Sequence, residues 1–594
     1  SNWKKLQTNK QTNKQTNKPH HKISIESPTP TITGENDPII SSTISPGVHA
    51  AGEFQQGIFV RGSSSDKNKF LLDNAVIYAP FHQFGIFSIF NEELLKSVQI
   101  STGLFDANHG GRVSSFMDVK TKTSLKDSIQ KKIQIGVLSS KIFLHKKINS
   151  KSNYLLSLRG TYGNFFINYL SPNPASIYFY DGSIKFNYAP NNKTKWSIGS
   201  HFSTDRNSFE IEDKGTSIST DVRWINFTNI FNYQRILKKN KVLKINVSNS
   251  NFSLSNFNSQ TSLYLYDDTS RTPTLLKNGL KMESEIIDLN NQIIIKGENW
   301  QIGNDATLHK INSSSFFTGD SLIDNLTKNN QLGFENSLFV QKEIEVSKWK
   351  LNGSLRINSF YNQFIMFDLA PRLYINHKIN PANNLSLGIE KANQFLFNLA
   401  SQGIGLPNNI WLSANKKIPF LKNWQYSLNH RFNKPLLSIF SSLYFKNESG
   451  TTSYLPGNTF SFNFNNRNSS NSNAAFEDRI MIGSSKNYGF ETLIKLNILK
   501  ISNQLSYTLS KSVVLFSEAN KGDWYPSLQD RPHKLNWSTY KKISKRWTFN
   551  SHWLFTSGKT ATFINSNYIY SSGVNDGNVF EYYGINNFRF PFYH

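Results

Sequence analysis

From about Lys122 onward, apolar and polar residues alternate one by one, and helical i, i+3, i+4 patterns are nearly absent over some 470 residues. Trp349, Leu351, Gly353, Leu355 and Ile357 alternate with Lys350, Asn352, Ser354, Arg356 and Asn358. Leu243, Ile245 and Val247 do so with Lys244, Asn246 and Ser248, and Tyr154, Leu156 and Leu158 share a face opposite Ser157 and Arg159. Successive side chains of a strand point to opposite faces, so such runs predict strands with one apolar and one wet face. A soluble sandwich or propeller would share the alternation, but its strands usually run about five to six residues. These runs span eight to twelve, close to the roughly 9–11 needed to cross a bilayer at a tilt of about 45°. Trp224, Phe360, Tyr361, Trp411, Trp424, Trp547 and Tyr582 recur near the ends of these runs, as in the aromatic girdles of membrane barrels. Rings and β-branched residues favour strands in any setting, yet length, alternation and rings together predict a membrane barrel. The connections range from tight turns to long polar stretches such as Arg467-Asn-Ser-Ser-Asn-Ser-Asn-Ala-Ala475, matching the short-turn, long-loop asymmetry of such barrels.

Composition narrows the alternatives. Charged residues make up 18%, below the roughly 25% of soluble domains, and uncharged polar residues fill the gap. The absence of Cys excludes a disulfide scaffold, cysteine zinc sites and thiol nucleophiles. No stretch of about 18 apolar residues occurs, so a spanning helix is not expected. The net charge of +26 would suit nucleic acid if clustered. Pairs such as Lys131-Lys132, Lys146-Lys147 and Lys238-Lys239 are instead spread along the chain, which reads as compositional drift, and no nucleic-acid partner is expected.

Three segments follow. Residues 1–33 contain the tandem repeat Lys10-Gln-Thr-Asn-Lys14-Gln-Thr-Asn-Lys18 and read as a low-complexity segment too polar to fold. Residues 34–122 read as a compact α+β unit: a strand, an Asp73-Asn74 turn and a second strand, then a short helix from Asn91 with that residue as N-cap. Residues 123–594 are the barrel.

The mixed unit carries the specific motifs. Ile44-Ser-Pro-Gly47-Val, Gly57-Ile-Phe-Val-Arg61-Gly62 and Leu71-Leu-Asp73-Asn-Ala-Val-Ile-Tyr78 stand in that order. Gly103, Phe105-Asp-Ala-Asn-His-Gly110-Gly111-Arg112-Val-Ser-Ser115 and Met117-Asp-Val-Lys120 follow. In order and spacing they resemble the plug domain of TonB-dependent outer-membrane receptors. His82-Gln-Phe-Gly85-Ile-Phe-Ser88-Ile-Phe90-Asn91 resembles the Bacteroidetes branch of that family. So do the barrel segments Ala370-Pro371-Arg372-Leu373, Gly405-Leu-Pro407-Asn-Asn-Ile-Trp411, Tyr488-Gly489-Phe-Glu491, Ser506-Tyr507-Thr-Leu-Ser510-Lys511 and Asp530-Arg531-Pro532-His533-Lys-Leu535. The resemblance covers about residues 34 to 594. It departs from the family at Asn74, where a Gly is usual, and at Ser63, where a second Gly is usual. It also shows no convincing TonB box and no further strands after Phe592-Tyr-His594, so a fragment truncated at both ends, or a decayed copy, is expected.

The resemblance implies an all-β transmembrane barrel of the 22-stranded type with C-terminal strands missing, roughly nineteen remaining, and a small α+β plug in its lumen. It implies outer-membrane localisation and import of a scarce ligand using energy relayed by TonB. A ligand-sensing receptor without transport is the alternative. The implied partners are the TonB complex, outer-membrane lipid, a possible surface lipoprotein and a small ligand: siderophore, haem, cobalamin, peptide or oligosaccharide. Arg61, Gly62, Asp73, Asn74, Gly103, Gly110, Gly111 and Arg112 are the candidates for plug motif and plug–barrel contacts. Arg61 and Arg112 either tie the plug to charges on the barrel wall or form turn-stabilising ion pairs within the plug. Gly110-Gly111 reads as a turn needing φ > 0. No enzyme, cofactor or metal site is expected: His82, His109, His201, His309, His430 and His533 are scattered without His-x-x-x-His or His-Glu-x-x-His spacing.

Overall fold

The computed structural model describes residues 20–23, 35–50, 57–123, 129–162, 164, 169, 175–213, 216–264, 274–318, 326–399, 409–456, 476–544, 546–563, 566–571, 576–581 and 584–593. A sheet of twenty strands runs in sequence order from Ile129–Ile135 to Thr548–Thr556, each antiparallel to its neighbour. One of them is the two-residue Tyr525–Pro526, so nineteen strands of seven residues or more form the wall. Among the described residues the first and last strands share no pairing.

Burial along the wall reverses that of a soluble sandwich. In Phe364–Lys378 the residues facing inward are Met366, Asp368, Ala370, Arg372 and Tyr374, all buried, while Ile365, Phe367 and Leu369 are more than half exposed. In Leu421–Asn433, Asn423, Gln425, Ser427 and Asn429 are buried, and Trp424, Tyr426 and Leu428 face out. Polar-in, apolar-out alternation is stable only where hydrocarbon replaces water outside. The fold is therefore an all-β transmembrane barrel.

Several strands exceed the eight to twelve residues expected, the longest reaching 23. Val242–Tyr264 shows why: its first half carries Leu243, Ile245 and Val247, whereas Ser253, Ser255, Ser259 and Thr261 follow on the same face. Its ladder continues past the apolar band with an outer face that is mostly polar, while Phe252 and Leu254 are buried on the inner one, and period-two reading finds only the banded half. Nine connections on one rim have two to five residues; those on the other reach 26, in 395–420. Thr123, where the chain leaves the inner domain, accepts a hydrogen bond from Asn153 beside a short turn. The short-turn rim is thus the periplasmic end of this architecture.

Inside the wall lies a five-stranded sheet in the order His20–Ile23, Leu95–Ser101, Ser115–Thr121, Asn68–Leu72 and Ala75–Ile77. His20–Ile23 belongs to the stretch expected to lack structure; it pairs antiparallel with Leu95–Ser101 and covers what would be an open edge. The helix expected from Asn91 is a 3-10 turn, Glu92–Leu94. Asn91 does cap it, accepting from the Glu93 amide at 3.0 Å, but the next residues are drawn into Leu95–Ser101, paired on both sides. The helical content of the plug's described residues is 3-10 turns.

A second element enters the lumen. Leu396–Leu399 and Ile410–Ser413 form a hairpin between two wall strands. It packs with Trp224, Phe252, Leu254, Ile286, Ile311 and Phe360 of the wall. Trp224, Phe360 and Trp411, expected in the girdles, are therefore luminal, exposed by 1%, 0% and 4%. Alternation tells that two faces differ, not which one turns inward. Tyr361, Trp424 and Trp547 do face outward, at 52%, 37% and 72%; Tyr582 lies outside the described residues.

Candidate functional site: the seam between plug and wall

Plug and wall meet mainly through polar groups. Arg61 sits where the chain reverses, at φ +50° followed by Gly62 at +75°. This turn aims its guanidinium into the wall, where Nε and Nη2 donate to the two carboxylate oxygens of Glu491 at 3.0 and 2.7 Å. Both side chains are fully buried, and the Tyr444 ring lies 4.5 Å from the guanidinium carbon. Gly47 leaves room for this pair, since a Cβ there would fall 1.8 Å from Glu491 Oε1. Ser512 donates to the Gly62 carbonyl at 3.1 Å. A second knot joins Lys67 and Ser63 of the plug to Glu448, each at 2.6 Å, and Ser485 of the wall donates to the same carboxylate.

Asp73 and Asn74 form the tip of the strand pair Asn68–Leu72/Ala75–Ile77, with φ +48° and +83°. Both lie in the left-handed region that a two-residue hairpin of this type requires, so Asn74 serves where Gly is usual. Asp73 accepts from Lys185 at 2.8 Å and from the Thr121 amide at 3.0 Å. Burial would raise its pKa, but the charges of Lys185 and Lys120 outweigh burial and hold it below the ordinary value. Asn74 donates to Asn232 and Asn246 at 2.8 and 3.2 Å. Past Gly103, the amides of Leu104 and Phe105 donate to Glu390 at 2.8 and 3.0 Å.

Gly110 and Gly111 have different reasons. Gly111 takes φ +78°. Gly110 does not, and its requirement is space: a Cβ would lie 2.4–2.7 Å from the Arg356 guanidinium. Arg356 is held there by Asp305 at 2.9 Å and the Ala107 carbonyl at 3.1 Å. Arg112 differs from Arg61. It donates to the Gly111 carbonyl at 2.6 Å and lies 5.5 Å from the Trp411 ring, and among the described residues it meets no carboxylate. Nearby acids are taken: Asp305 by Arg356, and Asp288 and Glu335 by His309. A cavity of about 70 Å³ beside it is lined by Lys69, Tyr78 and Trp411 among others. Burial depresses the Lys69 pKa against the opposing charges of Asp305 and Glu335.

The linear sequence concealed another cluster. His82 is fully buried with Nδ1 2.6 Å from Asp205 and Nε2 3.2 Å from Asp181. Its ring stacks on Phe179 at 4.1 Å. Burial lowers its pKa, but the Asp205 charge and the bonds to both carboxylates win, and the net shift is upward. The wall partners Glu390, Glu448, Asp181 and Lys185 had no sequence signal beyond polarity at an inward position. Others sit in the quoted barrel motifs. Arg372 donates to the Asp106 and His109 carbonyls at 2.7 and 2.9 Å. Trp411 meets Tyr78 at 4.8 Å. Thr508 accepts from the Gly47 amide at 2.8 Å.

Barrel, plug and polar seam together define the fold of plugged outer-membrane receptors. No protein-family model and no curated protein sequence matches the chain. Solved structures do match in fold. The siderophore receptor PiuA from Acinetobacter baumannii aligns with TM-score 0.61 at 12% identity, over 92% of this chain and 88% of that one. The ferric-catecholate import receptor Fiu from K12 E. coli gives 0.59 at 11%, over 88% and 84%. The ferripyoverdine receptor of the outer membrane of Pseudomonas aeruginosa gives 0.61 at 9%, over 91% and 76%. These proteins are receptors and an importer, and at such identity the likeness is one of fold.

Proposed function

We propose that this chain is a TonB-dependent receptor of the outer membrane, of the Bacteroidetes type, that imports a scarce small ligand. One observation carries the reading: a separately folded sheet fills the lumen and is tied to the wall by hydrogen bonds and ion pairs. Such ties seat a plug, and water can replace them when it is pulled. Arg61, Gly62, Asp73, Asn74, Gly103, Gly110 and Gly111 would seat it, with Arg112 facing the Trp411 hairpin. The energy would come from TonB in the periplasm, and a surface lipoprotein would assist capture. Solved structures of similar fold include a siderophore receptor, an iron transporter and a copper transporter, which makes metal chelates the first ligands to try here.

The chain's lack of Cys gives a clean test. Asn74→Cys with Asn232→Cys replaces side chains whose tips meet at 2.8 Å, so a short bis-methanethiosulfonate reagent should staple plug to wall through two mixed disulfides. A deletion strain identifies the nutrient whose use depends on the protein. The stapled variant should then fail to support growth on it until reductant is added. Unimpaired growth with the staple closed would refute plug displacement, and a soluble full-length protein on fractionation would refute the outer-membrane reading.

A further inference from the structure

The lysines that look scattered in sequence converge in the fold. Twenty-one Lys and Arg, against two Glu, lie in or within three residues of the nine short turns. The same window around nine connections of the opposite rim, a much longer stretch of chain, holds thirteen Lys and Arg against eleven Asp and Glu. Compositional drift would load both rims alike. It does not, so most of the net charge of +26 belongs to the periplasmic rim.

Fifteen of the twenty-one are exposed, and none of those fifteen is in an ion pair among the described residues. They follow the rim from Lys146 and Lys147 through Lys238, Lys348 and Lys434 to Lys542, so the charge encircles the barrel. Rings stand beside it. Trp349 and Trp547 are 48% and 72% exposed, and Lys241 lies 5.6 Å from the Trp300 ring. Rings at the headgroup level with long cationic chains reaching past them make an interfacial anchor.

We propose that this rim is a binding surface for anionic phospholipid headgroups of the inner leaflet of the outer membrane. The inference rests on the outer-membrane reading above. A lipid annulus is the favoured occupant because the charge runs around the barrel and borders the apolar outer face, whereas a protein partner would need one sector. Phosphate-bearing headgroups at a membrane surface attract each nearby Lys or Arg, and the attraction decays within a Debye length.

The test uses the full chain inserted into vesicles of phosphatidylethanolamine and phosphatidylglycerol in equal parts. Spin-labelled analogues of each lipid report which is held at the protein surface. At about 0.01 M salt, where the Debye length is roughly 30 Å, phosphatidylglycerol should be preferred by about threefold or more. The preference should vanish near 1 M salt, where that length is roughly 3 Å. Lys238, Lys239, Lys241, Lys541 and Lys542 changed to Gln should weaken it at low salt. Lys416, Lys417 and Lys422 changed to Gln on the opposite rim should not. Equal retention of both lipids by the inserted wild-type chain would overturn the inference and leave the barrel intact. So would an effect of the opposite-rim set as large as that of the periplasmic set, or binding by the rim of an acidic periplasmic protein while it ignores vesicle charge. Failure to insert would instead count against the outer-membrane reading.

Discussion

The pair Arg61–Glu491 permits a sharp test of how the plug is held. Glu491→Gln keeps the shape of the acceptor and removes its charge, leaving a fully buried guanidinium with one neutral acceptor there, Ser442 at 3.2 Å and the Tyr444 ring, but no carboxylate, in support. Uncompensated burial of one partner costs about 3–5 kcal/mol, and Arg61→Met should cost a similar amount by stranding the carboxylate. The double variant removes both charges and should lose much less than the two singles combined. Native-state hydrogen exchange reads the effect directly, through amides of Asn68–Leu72 and Ser115–Thr121, which pair in the middle of the plug sheet. At about 1.4 kcal/mol per tenfold change, each single should lower protection there by roughly two to four orders of magnitude. Amides of the wall strand Leu421–Asn433 should be unaffected. If the singles lose less than about tenfold, or if the double exchanges as fast as the two effects multiplied, the buried pair does not seat the plug and the reasoning fails.

Other perturbations address other parts of the seam. His82 faces Asp181 and Asp205, with Arg159 bonded to Asp181 and His201 close by. Because its folded pKa is raised, its contribution is full below about pH 6.5, the ordinary value, and is lost as pH rises through the folded value. Protease sensitivity of the plug should grow over that alkaline window, and His82→Gln should abolish the pH dependence. Gly110→Ala drives a Cβ into the pinned Arg356 guanidinium and should cost about 1–3 kcal/mol, visible as a lower plug melting temperature. Trp411→Ala removes a buried ring packed on Tyr78 and Arg112. It should cost about 3–5 kcal/mol and speed exchange in Leu396–Leu399 and Ile410–Ser413 more than in the plug sheet.

How much of this was legible beforehand follows from the range of each signal. Period two is local, so strands and the presence of two unlike faces can be read directly from Leu351 or Leu243. Its sign is not local, and Trp224 and Phe360, which period two places in the girdles, face the lumen for that reason. Turn chemistry at Asp73 and Asn74 is local too, and it holds. Ion pairs such as Arg61–Glu491 join residues 430 positions apart, and no spacing rule reaches that far. Motif resemblance did reach Glu491, Arg372 and Trp411, though without saying what each one touches. The lysine ring is the extreme case: its members are adjacent only after nineteen strands bring nine turns to one rim.

The two largest apolar clusters in the lumen show how a plug could be both seated and movable. One consists almost wholly of plug residues, among them Ile58, Val60, Phe70, Val98 and Val119, with only Phe143, Leu155 and Ile230 from the wall. The other is built from wall and inward hairpin, and takes only Ala79 and Val113 of its buried members from the plug. Neither cluster is shared evenly across the seam. Withdrawing the plug would therefore expose little apolar surface at about 25 cal/mol per Å². What it would break are hydrogen bonds and ion pairs, and the released groups could turn to water, each with a net worth of about 0.5–3 kcal/mol. A plug sharing one apolar core with the wall would come out only by unfolding. The division of cores at the seam would let this one shift as a folded body.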